Sequence, residues 1–284
     1  MTTIRQELVT CALCGEQTLV TQLDSTSSFG PPDLDLRPAE PARSSIFAWV
    51  ERCASCGYCA PSITQGAEHC REIVESPAYR ALLADADLPE LAKSFLCSSM
   101  IFEELDEEAF AARSAIGAAW ACDDEDAHEL AARCRLRAVE RLRAAEADGD
   151  TLYDDPSTEK AVLVDLLRRA GCFGDAVEEA DAALEEAEGE DATLLGFSRA
   201  LALARDARVY TFEDAFTAGA NDREIAESLQ RLVAYGERRD YSGKFVILDA
   251  PIVGLRRSSK ATSRQLPSSR PSLSRTPTVR KPHA

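Results

Sequence analysis

Cysteines are the residues of this chain best suited to chemistry, and four of its ten fall into two Cys-x-x-Cys pairs, Cys11-Ala12-Leu13-Cys14 and Cys53-Ala54-Ser55-Cys56. Two thiolates on one tight turn can hold one side of a metal ion, and two such turns complete a tetrahedral Zn²⁺ site. Gly15 and Gly57 follow the pairs directly. Glycine suits such a turn because its backbone must bend so that N–H groups point at the sulfurs. Four thiolates fill a tetrahedron, so Cys11, Cys14, Cys53 and Cys56 predict a structural ion with no open position for substrate. The 38 residues between the pairs exceed the roughly 15–20 of a compact ribbon, and the excess reads as an inserted loop.

Cys59 extends the second pair to Cys53-x-x-Cys56-x-x-Cys59, with His69 and Cys70 beyond it. Closely spaced cysteines of this kind also serve iron–sulfur clusters. That alternative would leave Cys11 and Cys14 without a role, and the spacing to a fourth ligand does not match a ferredoxin run. Zinc on the two pairs is therefore the favoured reading, and Cys59 reads as a small buried residue. Cys97, Cys122, Cys134 and Cys172 fall on apolar helical faces and read the same way.

Catalytic material is sparse. The three histidines, His69, His128 and His283, are isolated from one another, and there is no Gly-rich phosphate loop, nucleophile elbow or His-Glu-x-x-His. A non-enzyme is expected. Asp33-x-Asp35-x-Arg37 is the remaining candidate for a functional surface: on an extended loop its two carboxylates point the same way, suited to a cation or a basic peptide.

The elements that position these residues divide the chain in three. Residues 1–62 read as a β-rich metal module. Strands are expected at Glu7–Thr10 and Thr18–Leu23, and again at Ser45–Arg52, where Ile46, Ala48 and Val50 alternate onto one face. Pro31, Pro32, Pro38 and Pro41 make Asp24–Arg43 an extended loop projecting from that module. Residues 63–254 read as helical. Leu88, Leu91, Phe95, Leu96 and Met100 form one stripe at 3–4 spacing; Phe110, Ile116 and Trp120 form another. The acidic run Asp123–Asp126 is expected to open a long helix reaching about Ala145, with carboxylates at the positive end of the dipole. A last helix over Asn221–Arg238 and a short strand over Lys244–Leu248 complete the body.

Within the helical part, Leu163–Leu184 resembles a tetratricopeptide repeat (TPR), with Leu167 in a first helix, Gly171 and Phe173 at the turn, and Ala176 and Ala183 allowing close approach of a second. Lys160 and Glu188 stand where that pattern has tryptophan and proline, and the weaker echo at Cys122–Cys134, with Ala127 at the close-packing position, is not spaced at 34 residues. Irregular hairpins are expected. The fold class is thus mainly α: a small zinc ribbon, then TPR-like antiparallel helical hairpins.

Charge separates the third part. Residues 255–284 carry eight of the 32 Lys/Arg and no Asp or Glu, so the rest holds 24 basic against 49 acidic residues, a net of −25. Ten Ser/Thr and four Pro mark this basic tail as disordered. Arg256-Arg257-Ser258 and Arg275-Thr276-Pro277 are candidate phosphorylation sites within it. The acidic body repels nucleic acid, leaving the tail as the part suited to RNA or anionic lipid. No apolar run approaches the ~18 residues of a membrane span, and the opening Met1-Thr-Thr-Ile-Arg-Gln-Glu lacks the layout of a signal peptide, so the cytoplasm is expected.

Cys-x-x-Cys-Gly, a proline-containing loop with Asp-x-Asp, an aromatic strand, and Cys53-x-x-Cys56-Gly57-Tyr58 followed by Ala-rich helices resemble a widespread bacterial family of unknown function. The resemblance spans about residues 8–200. It implies a structural zinc and a helical interaction surface, and no known activity; Cys59 stands where that family more usually has alanine. Together these readings predict an adaptor that binds a protein partner through a basic segment, with a zinc-ribbon nucleic-acid regulator as the alternative.

Overall fold

The computed structural model describes residues 2–67, 69–153 and 155–219. The helix expected at Asn221–Arg238, the strand at Lys244–Leu248 and the basic tail lie outside these residues. The chain is mainly helical behind a small N-terminal sheet.

Strands β1 (Thr3–Thr10) and β2 (Gln17–Ser25) pair antiparallel, from Thr10 opposite Gln17 outward. Val9, Thr18 and Val20 are buried at the end nearest the first cysteine pair, and Leu8 and Leu19 face outward. The second hairpin is minimal: β3 (Glu51–Arg52) pairs with β4 (Cys59–Ala60). The first half of the strand expected over Ser45–Arg52 is replaced by a 3₁₀ turn, Arg43–Ala48, and only Glu51–Arg52 pairs as a strand. Local hydroxyl and carboxylate bonds favour the turn. Ser45 Oγ donates to the Ala42 carbonyl at 2.7 Å, and Glu40 accepts from the Ser44 N–H at 3.2 Å and hydroxyl at 2.7 Å. The turn drives Ile46 into the helical core beside Ala112 and Ile116 and leaves Phe47 and Trp49 partly exposed.

Eight helices follow among the described residues: α1 (Cys70–Glu75), α2 (Pro77–Ala84), α3 (Glu90–Glu103), α4 (Glu108–Asp124), α5 (His128–Asp148), α6 (Pro156–Arg169), α7 (Phe173–Ala183) and α8 (Gly189–Leu203), with residues 212–219 also helical. Start signals are local. Ser76 caps Tyr79 N–H ahead of Pro77, and Asp155 accepts from the N–H groups of Ser157 and Thr158 ahead of Pro156. Gly149 ends α5 at φ 77°, a left-handed cap that disfavours a side chain. Helix α4 packs between α3 and α5. Its Ala111, Ala112, Ala115, Ala118 and Ala119 are fully buried, and small residues let the three axes approach closely.

Two expectations fail together, for one reason. The loop carrying Asp33, Asp35 and Arg37 does not project: all three are buried, Asp35 completely. Asp123 and Asp124 do not open a helix: they end α4, and α5 starts at His128 without a side-chain cap. The two segments meet in a buried ion network. Asp35 Oδ2 accepts from Trp120 Nε1 at 3.0 Å and Arg169 Nη1 at 2.6 Å. Arg169 Nη2 reaches Asp123 at 2.6 Å, Arg135 pairs with the same carboxylate, and Arg37 donates from Nη2 alone to both Asp124 oxygens at 2.6 and 2.7 Å. These arginines offset the unfavourable placement of carboxylates at a helix C-terminus. Burial would push the Asp35 carboxyl up, but the guanidinium groups of Arg169 and Arg135 and the Trp120 N–H hold it below its ordinary value. At Asp33 burial wins over the partner Arg43, 2.8 Å away, and its carboxyl titrates above the ordinary value. The loop itself is held by Leu34 N–H to the Tyr210 carbonyl at 2.9 Å and Phe212 N–H to the Pro32 carbonyl at 3.0 Å.

Removing one member of such a network strands its partner in the core. Asp35→Ala is expected to lower the unfolding free energy by about 3–5 kcal/mol in urea titrations of the metal-loaded chain. Asp181→Ala, which breaks a pair with Arg199 in which both side chains keep access to solvent, is expected to cost about 1 kcal/mol or less. Equal costs for the two would contradict the network described.

Candidate metal centre

The two hairpins present their cysteine pairs as near-identical knuckles. In the first, Cys11 N–H donates to the Glu16 carbonyl at 3.0 Å and Gly15 N–H to the Cys11 carbonyl at 2.9 Å. In the second, Cys53 N–H donates to the Tyr58 carbonyl at 2.8 Å and Gly57 N–H to the Cys53 carbonyl at 2.9 Å. Gly15 and Gly57 sit at φ 77° and 78°, where a side chain is strained. At Gly57 a Cβ would also lie 2.6 Å from Leu83 Cδ1.

The knuckles bring all four predicted ligands together. The sulfurs of Cys11, Cys14, Cys53 and Cys56 lie within 4.8 Å of one another. Cys11 and Cys56 are 3.7 Å apart, Cys14 and Cys53 3.6 Å. A tetrahedron with metal–sulfur arms of ~2.3 Å has edges of about 3.8 Å, so the sulfurs are spaced for one ion at their centre. The same distances are far too long for disulfides of ~2.05 Å, and all four cysteines are free. Cys11 and Cys53 are buried; Cys14 and Cys56 are half-buried.

Donors around the sulfurs favour thiolate. Burial opposes ionisation of Cys53, but the N–H groups of Cys56 and Ser55 and the Thr18 hydroxyl, 3.6 Å away, draw its thiol down to about 6. Burial pushes Cys11 up, and burial with the neighbouring sulfurs pushes Cys56 far up. Four thiolates this close repel one another, and a divalent cation at the centre is what lets them ionise together.

Helices α1 and α2 brace the knuckles from behind. Arg71 donates to the Leu13 carbonyl, Arg80 to the Cys56 carbonyl at 3.0 Å, and Tyr79 to the Gly57 carbonyl at 3.0 Å. Ala12 N–H reaches the Ile63 carbonyl at 2.8 Å. Nothing in the local sequence around Thr18, Arg71, Tyr79 or Arg80 marks these supporting roles, because each depends on where a distant knuckle comes to lie.

Cys59 belongs to a different environment. It is fully buried behind the second knuckle, its N–H donates to Tyr79 Oη at 3.1 Å and its Sγ to the Gly57 carbonyl at 3.4 Å. Contact with Cys97 and burial hold its thiol well above the ordinary value. It is not among the clustered sulfurs, and neither is the buried Cys70. Cys97, Cys122 and Cys134 are buried in helix packing, and Cys172 is half-buried at the start of α7. His69 and His128 are exposed.

Comparison of the chain with family models, with curated proteins and with solved structures finds no match. The assignment of this centre therefore rests on its four sulfurs and their spacing.

Chelation of the bound metal is expected to unfold residues 3–60, seen as loss of amide protection in hydrogen exchange, while α4–α6 stay protected. Cys53→Ser is expected to give the same pattern without chelator. Cys59→Ser is expected to retain one metal per chain. Metal loss in Cys59→Ser would contradict the ligand set.

Proposed function

We propose that the chain is a non-enzymatic adaptor, in which a structural zinc ribbon is built onto TPR-like helical hairpins that bind a protein partner through a basic segment. The observation that carries this reading is the charge of α7 and α8. From Asp175 to Asp191 there are nine acidic residues and no basic one. Two of them pair, Glu179 with Arg143 and Asp181 with Arg199. Asp175, Glu178, Glu185, Glu186, Glu188 and Glu190 are exposed. An uncompensated acidic surface of this kind attracts cationic segments and is screened by salt. The hairpin beneath it supports the TPR-like description: α6 and α7 are joined by only Ala170–Cys172, Gly171 turns at φ 82°, and Ala176 and Ala180 are fully buried.

The ribbon's own surface favours a protein over a nucleic acid. Its four arginines are all consumed: Arg5 by Asp24 and Glu7, Arg37 by Asp124, Arg43 by Asp33, and Arg52 by Glu90. None is left for a phosphate. The β1–β2 hairpin instead exposes Ile4, Leu8 and Leu19, an aliphatic stripe suited to a protein surface. Ten free cysteines support a reducing compartment, the cytoplasm. No helix among the described residues is long and apolar enough to cross a membrane.

Affinity purification with the tagged full chain tests the reading when paired with the charge-reversal variant Glu185→Lys/Glu186→Lys/Glu188→Lys. The expected result is a partner captured by the native chain, lost with the variant, and released between roughly 50 and 300 mM salt. A partner retained by the variant and at the higher salt would overturn the acidic-surface reading.

A further inference from the structure

A cleft of about 740 Å³ opens between the ribbon and the α3–α4 layer, on a face the adaptor reading does not use. Its wall on α4 is one helical face, Phe110, Arg113, Ser114, Gly117 and Trp120 at 3–4 spacing. Phe95 and Phe102 line it from α3, and Trp49 from the turn after the 3₁₀ segment. Gly117 is required here: a Cβ would stand 2.8 Å from the Phe95 ring, so glycine lets that ring lie flat on the helix and keeps the floor open. The Trp49 and Trp120 rings meet edge to face at 6.1 Å, and Phe102 stacks on Phe110 at 5.4 Å. The volume is that of a small-molecule site, which spans roughly 300–1,000 Å³ and is mostly apolar with a few placed polar groups.

Most polar groups in this lining are already satisfied internally. The buried Glu51 accepts from Ile63 N–H at 2.9 Å and from Gln22 Nε2 at 3.2 Å. Ser114 bonds Ser98 at 3.4 Å, and Trp120 Nε1 is turned away onto Asp35. Ser62 bonds Thr64. What remains is Arg113, which is exposed and pairs with no carboxylate among the described residues, and beside it Tyr153. Burial and the nearby Asp35 charge keep the Tyr153 phenol protonated, so it is a donor at neutral pH. A peptide would bring a row of backbone N–H and C=O groups that this lining does not answer. A ligand with one anionic end and an apolar body leaves nothing unpaired.

We propose that this cleft binds an apolar monocarboxylic acid, with its hydrocarbon between Trp49, Phe102 and Phe110 and its carboxylate on the Arg113 guanidinium and the Tyr153 hydroxyl. The inference is independent of the partner surface on α7 and α8, and the failure of either leaves the other standing.

Trp49 and Trp120 are the chain's two tryptophans, and both line the cleft, so intrinsic fluorescence of the metal-loaded full chain reports its occupation. Octanoate and octan-1-ol are the probes: equal in chain length, different in charge. The expected result is a saturable change in emission, with octanoate bound at least about tenfold more tightly than octan-1-ol, and that preference erased in Arg113→Gln while octan-1-ol binding is unchanged. Arg113 is exposed, and an unaltered near-ultraviolet circular dichroism spectrum verifies that the variant is folded. Equal affinity for the two probes, a preference that survives Arg113→Gln, or no saturable change up to about 1 mM of either probe would overturn the proposal.

Discussion

Mutual repulsion among four cysteine sulfurs held within 4.8 Å is the constraint on which the N-terminal half depends. Two-stranded hairpins are marginal in water, and β3–β4 has only two residues in each strand. Neither hairpin can hold the other in place by its own burial. One ion accepting four thiolates would convert that repulsion into a bond network worth on the order of 10 kcal/mol, enough to fix both knuckles at once. Once they are fixed, every brace from behind finds its target: Arg71 and Arg80 meet knuckle carbonyls, Tyr79 meets the Gly57 carbonyl, and Cys59 packs against the helices. Val9, Tyr58, Ile63, Phe95 and Ala118 then share one core, which ties ribbon and helices into a continuous packing unit.

A second constraint acts on the other side of the ribbon. The long insertion between the cysteine pairs is drawn in by Leu34 and Asp35, not released to solvent. Asp35 reaches Trp120 on α4 and Arg169 on α6, and Asp123 shares Arg169 with it. Buried ion pairs contribute little net stability compared with apolar packing, but they are unforgiving of misalignment. Here they set the position of the insertion against three helices. They also orient the Trp120 indole, one wall of the cleft, by pulling its N–H away from the opening. The ribbon forms one edge of that cleft, and the ion network fixes the other.

What could be read directly from the sequence is what local chain geometry decides. Cys-x-x-Cys-Gly folds into the same knuckle twice because the turn needs nothing beyond its own residues. The 3–4 spacing of Phe95 with Leu91 and of Trp120 with Ile116 placed α3 and α4, and Gly171 with Ala176 placed the α6–α7 turn. What could not be read depended on distant partners. Asp35 bonds residues 85 and 134 positions away, and without them an Asp-x-Asp on a proline-rich stretch looks like a solvated loop. Asp123 and Asp124 look like helix-opening acids until Arg37, Arg135 and Arg169 are seen beside them. The alternation of Ile46, Ala48 and Val50 suggested a strand, but the hydroxyls of Ser44 and Ser45 close a 3₁₀ turn that buries Ile46 by a different route. Arg113 gave no signal at all, since its meaning comes from the aromatic rings that three separate segments place around it.

The central proposal is a zinc ion held by the sulfurs of Cys11, Cys14, Cys53 and Cys56. Extended X-ray absorption fine structure at the zinc edge, on full-length protein purified without added metal, tests both at once. The predicted result is one zinc per chain with a single shell of four sulfurs at ~2.3 Å. Nitrogen or oxygen in that shell, fewer than four sulfurs, or zinc absent from folded protein would contradict it.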